Sequence, residues 1–103
     1  MADTILITGV IDLDPANHDA AVAAFTKMMK ASLQDEGCVR YVFAADLEEP
    51  GRFHLSEEWA SQAASDAHMT QPHMAEFFSA MGQLGVTSSS ITKWTGAESE
   101  KLM

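Results

Sequence analysis

The 103-residue sequence predicts an α+β fold of the ferredoxin-like type: an antiparallel sheet with helices on one face. Three observations predict it. Residues 4–13 (TILITGVIDL) and 86–94 (VTSSSITKW) are rich in β-branched residues. Residues 38–59 hold two alternating runs split by a turn at Pro50 and Gly51. The stretches after the first and third of these runs carry apolar residues at helical spacing. In chain order this is strand, helix, strand, strand, helix, strand, the βαββαβ arrangement.

The first strand, Thr4 to Leu13, is apolar on both faces near its middle, as suits a strand covered on both sides. The turn-rich DLDPANHD follows, where Asp14 (with Pro15 at the first helical position) or Asn17 can cap a helix. In that helix Val22, Phe25, Met29 and Leu33 form the apolar stripe, and Gly37 stops it. Strand two, CVRYVFAAD, sets Val39, Tyr41 and Phe43 on one face and Cys38, Arg40 and Val42 on the other. Strand three, RFHLSEEW, sets Phe53, Leu55 and Trp59 on one face and turns His54 away. Ser61 caps a short helix ending near Met69. A second helical piece then begins with Pro72 in its first turn and Met74, Phe77, Phe78 and Met81 as its stripe. The last strand is only weakly hydrophobic in its middle, as suits a sheet edge. The free sheet face needs cover that nothing left in the chain supplies, so a second copy, giving a homodimer, is expected to supply it.

Length and composition bound the rest. One domain spanning 1–103 is expected, with 95–103 a polar tail that frays. A hydrophobic fraction of 47% argues against disorder. Fifteen acidic against six basic residues, net −9, would repel phosphate backbones and anionic membranes, so neither nucleic acid nor membrane is an expected partner. The opening MADTILITGVIDLDP lacks a charged n-region and a long apolar run, and one cysteine, Cys38, cannot form an internal disulfide. A cytoplasmic location is expected.

The chemistry-bearing residues are few. His68 and His73 stand five apart across a helix break and so do not share a face by helical geometry. No H-E-x-x-H or cysteine pair accompanies them, so no metal site is expected. G-x-S-x-G and G-x-G-x-x-G are both absent, and Cys38 at a strand start reads as a buried, inert thiol. What remains is an aromatic and polar cluster: Tyr41, Phe43, Phe53, Trp59, His68, His73, Phe77 and Phe78. For Phe53, Phe77 and Phe78 packing is the commoner fate, and His18 reads as a solvated surface residue. An imidazole and an indole each carry a polar edge that needs a partner when buried. His68 and Trp59 are therefore either a satisfied structural pair or the wall of a pocket holding a flat aromatic molecule beside a proton relay.

The run FHLSEEWASQAASDAHMTQPHMAEFF resembles the signature of the antibiotic biosynthesis monooxygenase family. Phe53, Glu58 with Trp59, His68, Gln71 to His73, and Phe77 with Phe78 carry the likeness. Gly37, Tyr41 and Pro50 extend it upstream, so that it covers nearly the whole chain. The resemblance implies a dimeric α+β barrel, two ferredoxin-like sheets packed face to face. It also implies an oxygenase that uses no flavin, haem or metal and oxidises a phenolic or quinol-like aromatic molecule with O2. On it, His68 takes or relays the phenolic proton and Trp59 and Tyr41 orient the ring. Phe25, Met29, Phe43, His73, Phe77 and Phe78 would line the substrate site. A haem-degrading relative would need an asparagine in strand one, a tryptophan where His68 stands and a histidine in AEFFSAM. Thr8 occupies the first place and the other two are also unmatched. A dimeric isomerase or small-molecule binder without oxygen chemistry is the alternative.

Overall fold

A computed structural model describes residues 3–103. In chain order it has β1 (Ile5–Leu13), α1 (His18–Ser32), β2 (Cys38–Ala45), β3 (Arg52–Trp59), α2 (Gln62–Met69), α3 (Pro72–Met81) and β4 (Val86–Trp94). A 3-10 turn over Pro15–Asn17 leads into α1. The sheet order is β2-β3-β1-β4 with every neighbouring pair antiparallel, so the expected ferredoxin-like α+β fold is present and β4 is an edge. No helix among the described residues is long and apolar enough to cross a membrane.

The strand period of two divides the sheet cleanly. Ile5, Ile11, Tyr41, Phe43, Phe53, Leu55 and Trp59 are buried on the face that all three helices cover. Phe25 of α1 stacks on Phe43 with centroids 4.3 Å apart, Phe77 of α3 lies 5.7 Å from Phe43, and His68 of α2 lies 4.6 Å from Trp59. The opposite face stays open and mixed. It carries Val42 and Trp94 beside the Arg52–Asp12 ion pair and the His54–Asp46 contact, each with a closest approach of 2.8 Å.

Local rules explain most boundaries. Asp14 caps the 3-10 turn by accepting from the Ala16 amide at 2.9 Å, whereas Asn17 makes no side-chain cap and instead donates to the Leu84 carbonyl at 2.9 Å. Ser61 caps α2 through the Ala64 amide at 3.1 Å. Pro72 opens α3, where its missing N–H costs nothing.

Four expectations need correction. Helix α1 buries Ala21, Phe25, Met28 and Ser32, leaving Val22 and Leu33 exposed. Both stripes satisfy helical spacing, and the small side chains at 21 and 32 are the ones that let the helix sit close to the sheet. Val39 leaves the Tyr41–Phe43 face because the β2–β3 register shifts between Cys38 and Arg40. Phe78 is exposed beside buried Phe77. His18 is half-buried, stacked 5.4 Å from Phe53, with Nδ1 3.0 Å from the Pro50 carbonyl.

The turn from α1 into β2 sets up the site. Gly37 has φ +78°, and its carbonyl accepts from the Ala60 amide at 2.8 Å. A Cβ there would lie 2.5 Å from the Ala64 Cβ. Gly37→Ala is therefore expected to destabilise the fold by about 1–3 kcal/mol, measured by urea unfolding. An unchanged unfolding midpoint would show that neither the left-handed backbone nor the Ala64 contact matters.

Candidate active site

Helices α2 and α3 meet the sheet over a cavity of about 350 Å³. Its apolar wall includes Ile7, Leu55, Met69, Met74, Phe77, Phe78 and Ile91. Its polar lining is Tyr41, Glu57, Ser65, Asp66, His68 and Lys93. Four of the sequence candidates thus line this space: Tyr41, His68, Phe77 and Phe78. Trp59 is wholly buried behind His68 rather than on the wall. Phe25 and Phe43 form the stacked core pair. Met29 lies beside it, its sulfur accepting from the Phe43 amide at 3.1 Å. His73 lies on a smaller cavity of about 130 Å³ between α1 and α3.

His68 and His73 come together, against the expectation from helical spacing. The break between α2 and α3 folds the chain back, and both rings reach one atom. His68 Nδ1 lies 2.7 Å and His73 Nε2 2.8 Å from Asp35 Oδ2. A carboxylate oxygen only accepts, so each of those nitrogens donates its N–H. That fixes the tautomers: in a neutral His68 the basic lone pair is on Nε2. Asp35 is one that sequence reasoning missed, because a loop aspartate carries no periodic signal.

These three side chains offer ligand atoms within 4.8 Å of one another, close enough to gather round a metal ion. The hydrogen bonds argue for a different use. Each candidate ligand nitrogen already donates to Asp35, so a metal would have to displace both protons. Nor does His68 Nε2 or His73 Nδ1 have the protein acceptor that usually orients a metal-bound imidazole.

Glu57 is the second missed residue, although the alternation through Phe53, Leu55 and Trp59 puts it on the buried face. Its Oε1 accepts the Trp59 indole N–H at 2.8 Å. Burial pushes its carboxyl up to about 7, the indole bond offsetting only part of that. Burial, and then the charge of Glu57, drives the Tyr41 phenol well above its ordinary range, so Tyr41 stays neutral. The Ser32 hydroxyl is buried without a well-formed hydrogen bond, yet lies near enough to Tyr41 to favour the phenolate slightly. Half-buried Cys38 is pushed up to about 11 by burial and by the charges of Asp35 and Glu57, which keeps it a thiol.

The raised Glu57 has a signed consequence. Its ordinary value is 4.5 and its folded value about 7, so the folded state holds the proton more tightly. Below pH 4.5 both states are protonated and no penalty exists. Between pH 4.5 and 7 the unfolded chain gives up this proton while the folded state keeps it, so stability falls by roughly 3 kcal/mol at about 1.4 kcal/mol per unit and levels off above 7. Urea unfolding of wild type and Glu57→Gln across pH 4.5–8.5 is expected to show wild type losing ground to the variant between pH 4.5 and 7 and holding level above that. A constant difference would mean that Glu57 is not the buried acid described here.

The family profile of the antibiotic biosynthesis monooxygenases matches residues 4–80. No curated protein matches the chain in sequence. Among solved structures, a candidate antibiotic biosynthesis monooxygenase from Deinococcus radiodurans is similar at 24% identity and TM-score 0.88, over 96% of this chain and 98% of that one. A second candidate monooxygenase, from Nitrosomonas europaea, is similar at 14% identity and TM-score 0.84, over 93% and 92%. A Bacteroides thetaiotaomicron protein of unknown function, a possible oxidoreductase, is similar at 20% identity and TM-score 0.82, over 92% and 99%. Likeness at these identities shows the fold. The family match goes further and agrees with a cavity built to take a small molecule: the chain belongs to the antibiotic biosynthesis monooxygenase family.

Proposed function

We propose that this chain is a cofactor-independent monooxygenase that oxidises an aromatic, phenolic or quinol-like molecule with O2, working as a homodimer. The carrying observation is the Asp35–His68 pair, whose free imidazole nitrogen belongs to an otherwise largely apolar cavity. A phenol seated there loses its O–H proton to His68 Nε2, and Asp35 stabilises the imidazolium that forms. The phenolate then supplies the electrons that O2 needs. Where the oxidised position is a ring CH2 conjugated with the phenol, one oxygen atom becomes the new carbonyl. The other leaves as water with the two hydrogens of that carbon, so substrate and O2 balance without another reductant. Phe77, Phe78 and Ile91 keep water from the anion. Tyr41, held neutral, is a phenol donor at the wall. Trp59 acts from behind, holding His68 by ring contact and Glu57 by its N–H.

A second reading, an isomerase of a small carbonyl compound, is favoured by Glu57 standing in the same cavity as His68, since two proton-exchanging groups suit enolisation. Oxygen uptake separates the readings. With anthrones and naphthoquinols as substrates, uptake is expected in wild type, and kcat is expected to fall about 10²–10⁴-fold in His68→Ala. Wild-type turnover by His68→Ala would remove His68 from the mechanism, and substrate binding without oxygen uptake would favour the isomerase.

The assembly is tested separately. The open sheet face, with Val42 and Trp94 exposed, is the surface on which a second copy is expected to pack. Sedimentation should report twice the 11.2 kDa chain mass. A monomer at micromolar concentration would overturn the dimer.

A further inference from the structure

The proton relay just described leaves one buried group unused. Glu57 is 6% exposed and Oε1 is committed to the Trp59 N–H, but Oε2 has no partner among the described residues. His68 is 2% exposed, Nδ1 is committed to Asp35, and Nε2 likewise has no partner among the described residues. Among the described residues, Ser32 Oγ is the sole side-chain polar atom both sealed from solvent and unpartnered. Glu57 Oε2 and His68 Nε2 therefore each keep an opening, and the cavity their residues share is where it lies. Two acceptors of buried side chains, free of protein partners at the same cavity, are a demand for hydrogen-bond donors that only a ligand or water can meet.

Both acceptor-bearing groups rest against one side chain. The Trp59 indole lies 4.6 Å from the His68 ring, tilted to it by 36°, and donates to Glu57, so neither group turns without the other feeling it. Among the described residues no lysine or arginine is paired with Glu57: Lys93, the one lysine on the cavity wall, places Nζ 3.3 Å from Gln62 Oε1.

We propose that Glu57 is a second substrate-contacting residue of this cavity. Its ligand is then an aromatic molecule with two neighbouring hydroxyl groups on one edge, one donating to His68 Nε2 and the other to Glu57 Oε2. The first O–H bond breaks as the N–H bond forms on His68; the second hydroxyl keeps its proton and is held by Glu57. A single hydroxyl would leave one acceptor bare, so the site selects against the monohydroxy analogue. Burial is what raises this carboxyl to about 7, and a hydroxyl donating to Oε2 would stabilise its carboxylate, which agrees with the same assignment. The inference rests on the cavity assignment above but does not need oxygen chemistry.

The test is binding under anaerobic conditions, by calorimetry on the full chain, with naphthalene-2,3-diol and its monomethyl ether as probes. Wild type is expected to prefer the diol by about 10-fold or more. In Glu57→Gln, which keeps an oxygen for the Trp59 N–H, that preference is expected to fall below about 3-fold, with near-ultraviolet dichroism confirming an intact core. Equal affinity of wild type for both probes, a preference that survives in Glu57→Gln, or no binding of either probe would overturn the proposal. Oxygen uptake by a wild type showing any of those results would leave the oxygenase reading standing, so the two fail separately.

Discussion

One carboxylate oxygen accepting from two imidazoles is the contact on which the candidate site depends. Asp35 sits in the turn before β2, His68 near the end of α2 and His73 in the first turn of α3. Three segments that share no secondary structure are tied at one atom. The helix break at Thr70 and Gln71 is what makes this possible, because a continuous helix would carry residues 68 and 73 to different faces. The tight turn at Gly37 brings Asp35 to meet them.

A 103-residue domain has a small core, and this one places Glu57, Ser65, Ser32 and His68 inside it. Such burial costs stability unless every polar atom finds a partner. The structure meets part of that cost locally, through Trp59 to Glu57 and Asp35 to His68, and leaves Glu57 and His68 lining a cavity, while the Ser32 hydroxyl stays sealed without a partner. Polar groups tolerated there at the expense of folding fit a binding role better than a packing role. The aromatic cluster of Phe25, Phe43 and Phe77 supplies apolar burial alongside it.

Periodicity and punctuation were enough to place the elements. The β4 limits, the Ser61 cap, Pro72 at the head of α3 and the hairpin at Pro50 and Gly51 all follow from local rules. What local rules do not hold is rotation and long-range closure. The face that α1 buries depends on how closely Ala21 and Ser32 let it approach the sheet, and two stripes fit the same spacing. The shift beside Val39 belongs to the pairing of β2 with β3, not to β2 alone. Glu57 was legible in the alternation of β3 but masked by its charge. Asp35 was not legible, since its meaning comes from two histidines more than thirty residues away.

The chain's two tryptophans occupy opposite worlds. Trp59 is sealed beneath the helices against an imidazole and a carboxyl, while Trp94 lies on the outer face of an edge strand, its indole N–H on Thr8 at 3.0 Å. Their emission is therefore expected to divide into a blue component from beside the cavity and a red component from the open sheet face. The native protein carries one optical probe beneath the helices and another on the open sheet face, with no label added.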